Sequence, residues 1–149
     1  MTIKEKLYKI LQERIDEKIR ILKESISFAK ESRDADTKSS AGDKYETGRE
    51  MIQAEINKSE QGLGNLIAQK TELSKLNLKK QYSKVELGSI IITDKGNYFI
   101  ATAFGKIRIE DKDYYSISAA SPIAKCFWNK KIGDKLKFQN REYSIIKIV

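Results

Sequence analysis

Two long runs with an apolar residue every three or four positions, separated by a stretch with almost nothing to bury, limit the first half of this chain to a helical hairpin. Ile3, Leu7, Leu11, Ile15, Ile19, Leu22, Ile26 and Ala29 make the first stripe, and Ile52, Ile56, Leu63, Leu66, Leu73 and Leu76 the second. Lys, Arg, Glu and Asp fill most positions between them, so each run reads as an amphipathic helix with one apolar seam. Proline is absent from both runs; Gly62 and Gly64 weaken the second by about 1 kcal/mol each relative to Ala without ending it. The break between them, Ser32–Gly48, is short and polar. It returns the second helix antiparallel to the first, and the two seams are expected to zip together. Thirty helical residues span about 45 Å at ~1.5 Å each, a rod rather than a globular core. Such a rod either delivers its tip somewhere narrow or pairs with a second hairpin in a dimerisation bundle.

The totals narrow the chemistry. Of 149 residues 34% are charged and 40% apolar, with a net charge of +8, which favours an acidic partner or marks a Lys-rich soluble protein. Split at residue 80, the excess is +3 before (17 basic against 14 acidic) and +5 after (12 against 7), so no basic arm gathers it. Histidine is absent, which removes Ser-His and Cys-His nucleophiles, His-metal sites and a histidine base together. The single cysteine, Cys126, excludes a disulfide framework and a multi-Cys zinc site. Beside Phe127 and Trp128 it reads as a packed thiol rather than a nucleophile. No apolar run approaches the ~20 residues of a membrane span, and the expectation is a soluble, cytoplasmic protein without a membrane partner.

From Val85 the pattern changes to short β-type runs: Leu87–Thr93, Tyr98–Phe104, Lys106–Ile109, Tyr114–Ser118, Lys135–Gln139 and Tyr143–Val149. Asp94-Lys95-Gly96-Asn97 and Asn140 supply turn signals. Ser121-Pro122 reads as a helix start with Pro at the first helical position, and the short helix ends before Gly133. The fold class expected is therefore α+β. Residues 1–80 form an antiparallel coiled-coil hairpin with its tip at about 32–48, and residues 81–149 a small antiparallel sheet domain crossed by one helix.

That architecture and a set of short motifs resemble the bacterial Gre transcript-cleavage factors. Val85-Glu86-Leu87-Gly88-Ser89 is similar to the strand that opens their C-terminal domain. Ile117-Ser118-Ala119-Ala120-Ser121-Pro122-Ile123-Ala124-Lys125 and Lys130-Lys131-Ile132-Gly133-Asp134 resemble their helix and the turn after it, and Glu142-Tyr143-Ser144-Ile145-Ile146 their last strand. Tyr45 followed by Arg49-Glu50 resembles the start of their second coiled-coil helix. The resemblance implies an FKBP-like second domain that docks on the rim of the RNA polymerase secondary channel, with Ser121, Pro122 and Ile123 at the rim contact. It further implies a hairpin that runs down the channel to the active site. There two tip carboxylates help hold a Mg²⁺ shared with the polymerase, and the polymerase hydrolyses backtracked RNA. On this view the chain is an accessory factor, not an enzyme. It binds no metal alone and meets RNA only inside the polymerase complex.

The tip departs from the family. Registered on Tyr45 and Arg49-Glu50, the acidic pair falls on Lys38 and Ala41, and neither holds a metal. An Asp-x-x-Glu of the right spacing occurs further on, as Asp43 and Glu46, one helical turn apart on one face. The pair has two readings: a Mg²⁺ helper displaced along the helix, or a capping arrangement after Ser40 whose charges complement the helix dipole. Asp34 and Asp36 read as further acidic candidates or as solvated loop charges, and Ala120 replaces a polar residue of the family's docking turn. The alternatives are a secondary-channel binder that modulates or inhibits without cleavage, an FKBP-like folding helper, and a basic coiled-coil nucleic-acid binder.

Overall fold

The structure, a computed structural model, describes the backbone of residues 1–35 and 42–149, and side chains throughout these except at 42–45. The elements are α1 (Ile3–Ala35), α2 (Gly42–Ser74), β1 (Ile90–Thr93), β2 (Gly96–Ile100), β3 (Gly105–Ile109), β4 (Lys112–Ile117), α3 (Pro122–Phe127), β5 (Lys135–Phe138) and β6 (Arg141–Ile148). Two compact units are built from them: Glu13–Lys70, and Met1–Gln12 together with Thr71–Val149.

In the first unit the expected hairpin forms. Ion pairs join Lys70 to Asp16 at 2.6 Å and Lys30 to Glu60 at 3.0 Å, and Arg33 Nη1 donates to Gln53 Oε1 at 2.6 Å. Partners descend along α2 as they ascend along α1, the signature of an antiparallel pair. These pairs are largely exposed, and each contributes at most about 1 kcal/mol. The stabilising burial is that of Ile15, Ile19, Ile26 and Ile56 along the seam, with Leu22, Ile52, Leu63 and Leu66 half-buried beside them. The helices reach further toward the tip than the polar break at 32–48 suggests, α1 to Ala35 and α2 from Gly42. Polarity does not stop a helix whose residues face water, and Gly48 stands on an open face where an added Cβ meets nothing within 4 Å. Asp36, Lys38, Ser40, Ala41 and the side chain of Asp43 lie outside the described residues.

The second unit begins with a reciprocal cap. Thr2 Oγ1 accepts from the Glu5 amide at 3.1 Å, and the Glu5 carboxylate accepts from the Thr2 amide at 2.9 Å, a capping box at the head of α1. Leu7 and Leu11 are fully buried, and Leu73 nearly so. α2 stops at Ser74, so Leu76, counted in the second stripe, lies beyond the helix.

All six β runs become strands, in the order β3-β4-β2-β1-β6-β5. Four of the five pairings are antiparallel, but β2 and β4 run parallel, from Asn97 against Tyr114 to Ile100 against Ile117. The sheet is thus antiparallel as expected but for this one parallel pairing. The cause is topological: β3 and β4 form a tight hairpin, and β4 inserts between β3 and β2, which restores the direction of β2. Residues 101–104 make this possible by pairing locally, with the Ala101 amide on Ile117 O and the Ser116 hydroxyl on Thr102 O. The β3–β4 and β5–β6 hairpins turn on two residues each with positive φ, Glu110 and Asp111, then Gln139 and Asn140, matching the twist of the flanking strands. The first hairpin turn is held by Asp94, whose carboxylate accepts the Ser144 amide at 2.8 Å; that bond lowers the Asp94 pKa.

The sheet's core collects Val85, Ile91, Ile100, Ala124, Phe127, Leu136, Tyr143, Ile145 and Ile148. Cys126 is half-buried against this cluster, in keeping with a packed thiol. Aromatic rings meet in and beside it: Phe127 lies 5.2 Å from Tyr98 and 5.9 Å from Tyr143 between centroids, and Tyr98 lies 5.7 Å from the exposed Tyr115. Burial against these rings pushes the Tyr98 phenol up to about 12.

Candidate functional site

Two surfaces carry the residues that the sequence singles out, one in each unit. In the sheet unit, Ser121, Pro122 and Ile123 form the first turn of α3. Ser121 is its N-cap: Oγ accepts the Ala124 amide at 3.3 Å and donates to Ser118 O at 2.9 Å. Pro122, with φ preset for a helix and no amide to leave unpaired, occupies the first helical position and is exposed. Ile123 is half-buried against the core, while Ala124 and Phe127 anchor the helix from beneath. The turn is thus rigidly mounted and presents Pro122, with Ala120 and Lys125 also exposed. The same residues start a helix and offer a surface, and the two roles do not compete.

At the far end of the hairpin, α2 carries Asp43 and Glu46 in its first turns. Glu46 is exposed and lines, with Arg49, Glu50 and Gln53, a shallow concavity of about 260 Å³. The side chain of Asp43 lies outside the described residues. Asp34 is exposed but engaged, its carboxylate accepting Arg33 Nε at 3.0 Å. Arg33 therefore ties the end of α1 to α2 through Gln53 and holds Asp34 at the same time. No group of three or more His, Cys, Asp or Glu that would hold a metal exists among the described residues. A lone exposed Glu46 does not make a Mg²⁺ site, and most ligands would have to come from elsewhere.

One feature of this unit has no warning in the apolar stripes. Phe28 and Met51, 72% and 67% exposed, stand off the seam and line an open cavity of about 630 Å³ with Ala29, Ile52 and Glu55. Together they make a small exposed apolar face beside the seam. Phe28 falls between the seam positions Ile26 and Ala29, which is the signal a reading of the stripes alone passes over.

Lys4 is a second feature missed. It is only 3% exposed, donates from Nζ to Val149 O at 2.9 Å and lies 4.3 Å from the centre of the Tyr82 ring. Its place in the stripe was readable, since Lys4, Leu7 and Leu11 share the seam spacing. Among the described residues no helix is long and apolar enough to cross a membrane.

No family model matches the chain, and no curated protein matches it. Among solved structures, that of the transcription factor Gfh1 aligns over 92% of this chain and 92% of its own, with 20% identity and a TM-score of 0.36. That likeness is loose, and the functional reading rests on this chain's own residues.

Proposed function

We propose that this chain is a Gre-like transcription factor that docks on RNA polymerase through the first turn of α3 and inserts the tip of its hairpin into the secondary channel. The observation that carries the reading is the union, in one chain, of an antiparallel pair of 33-residue helices with a sheet domain whose short helix opens on Ser121-Pro122-Ile123. The exposed Phe28 and Met51 support it from a second direction, because a rod enclosed by protein walls has use for apolar contact along its outer face.

Cleavage of backtracked RNA would be performed by the polymerase, with Asp43 and Glu46 assisting a Mg²⁺ that the polymerase mainly holds. Such a metal supplies a Lewis acid near the attacking water. The part of this chain is to bring one or two carboxylates to it. A second reading, a channel binder that modulates the polymerase without stimulating cleavage, draws support from Lys38 and Ala41, which stand where the resemblance expects the acidic pair. A folding helper finds less support, since Phe127, Tyr98 and Tyr143 pack upon one another in the core.

The two main readings separate in a transcript-cleavage assay on stalled elongation complexes. The cleavage reading expects the wild type to shorten the nascent RNA and Asp43→Ala/Glu46→Ala to lose about 10- to 100-fold in rate, the scale of removing groups that support a metal. A wild type that never shortens the transcript removes the cleavage function. A double variant as active as wild type removes these two carboxylates from it.

A further inference from the structure

Beside the head of α1 lies a cavity of about 470 Å³ lined by four lysines, Lys4, Lys79, Lys80 and Lys147. Its one acidic lining side chain, Glu5, is committed to the capping box, and Lys80 is paired with Glu86 at 3.3 Å. Among the described residues no side-chain carboxylate pairs with Lys4, Lys79 or Lys147. Lys4 is the unusual member. The residue is only 3% exposed, its ammonium rests on an oxygen of Val149 and the face of Tyr82, and burial brings its pKa down to about 8. An anion entering the cavity offsets that burial, which couples ligand binding to a charge already fixed in place. Leu78 and Ile148 give the same cavity an apolar wall, and its volume falls within the range of small-molecule sites.

We propose that this cavity binds a phosphorylated small molecule, its phosphate chain held by Lys4, Lys79 and Lys147 and the rest of the ligand resting on Leu78 and Ile148. Lysine binds phosphate as a point charge with three donors, so three ammonium groups on one cavity suit a chain of two or three phosphates better than a single carboxylate. Nothing in the site depends on polymerase, so the ligand would act on the free chain as an effector.

Calorimetric titration of the full chain with ADP, tripolyphosphate and adenosine tests this. Both anions are expected to bind with one-to-one stoichiometry and adenosine not at all; the tighter of the two anions identifies a nucleotide or an inorganic source. Lys79→Gln and Lys4→Met are each expected to weaken binding about tenfold, the value of one hydrogen bond to a charged group. Lys112→Gln, which lines the neighbouring concavity with Lys147, should leave it unchanged. Lys79 is exposed, so its variant reports on the site even if Lys4→Met fails to fold. No binding of either anion, adenosine binding as tightly as ADP, or an equal loss in Lys112→Gln overturns the proposal.

Discussion

Phe127→Ala is expected to destabilise the sheet domain by about 3–5 kcal/mol, the range for truncating a fully buried aromatic ring. Phe127 is 0% exposed, and its ring is in contact with Tyr98 and Tyr143. Truncation forfeits the transfer energy of the ring, opens a cavity between α3 and the sheet, and strips two edge or tilted aromatic contacts of about 0.5–1.5 kcal/mol each. Against a total stability of about 5–15 kcal/mol for a domain, that loss is large. It also has a functional side. Phe127 is the anchor at the far end of the six-residue helix whose first turn is Pro122–Ala124, so a loosened anchor lets the turn proposed to dock fray. Denaturant unfolding followed by Trp128 fluorescence measures the effect. Lys125→Ala, on the exposed side of the same helix, is expected to stay within about 0.5 kcal/mol of wild type. Equal effects from the two substitutions would place α3 off the core.

Gly88→Ala is expected to cost about 2–4 kcal/mol, and for a reason no inventory of contacts would suggest. Gly88 adopts φ +91, where an L side chain is strained by about 1–3 kcal/mol. A Cβ there would also stand 2.5 Å from the Tyr82 hydroxyl, which is fixed by donating to Leu87 O at 3.1 Å. Tyr82 is 9% exposed and has little freedom to tilt away without losing that hydrogen bond, worth about 1 kcal/mol. The two contributions separate in a double-mutant cycle with Tyr82→Phe. Removing the hydroxyl relieves the clash but not the backbone strain, so the double variant should be less destabilised than the sum of the single variants by about 1 kcal/mol. Strict additivity would mean that backbone strain alone accounts for the cost.

Much of this architecture was legible in the residues. The seam at Leu7, Leu11, Ile15, Ile19 and Ile26 is buried along α1, because a 3.6-residue period leaves one face with nowhere else to go. The six β runs and the Ser121-Pro122 helix start are equally local signals, and each became the element it predicts. What escaped was non-local. The parallel β2–β4 pairing depends on which gap β4 enters, and no period or turn residue encodes that choice. Lys4 escaped because a charged residue at a seam position is ordinarily a solvated one, and its burial beside Tyr82 brings together residues 78 positions apart. Of the tip pair, Glu46 is exposed as a metal helper must be, and equally as a dipole-complementing residue would be. Exposure is shared by both readings, so only the double variant distinguishes them.

The central claim is that RNA polymerase is the partner, and direct binding tests it most simply. The full chain is mixed with purified core RNA polymerase from its own organism at micromolar concentrations and physiological salt, and the complex is resolved by size exclusion. The account predicts a one-to-one complex that weakens when Pro122 and Ile123 are replaced by polar residues, with no comparable binding to free DNA or RNA. A chain that elutes apart from the polymerase, or that binds free nucleic acid with the steep salt dependence of phosphate contacts instead, would contradict it.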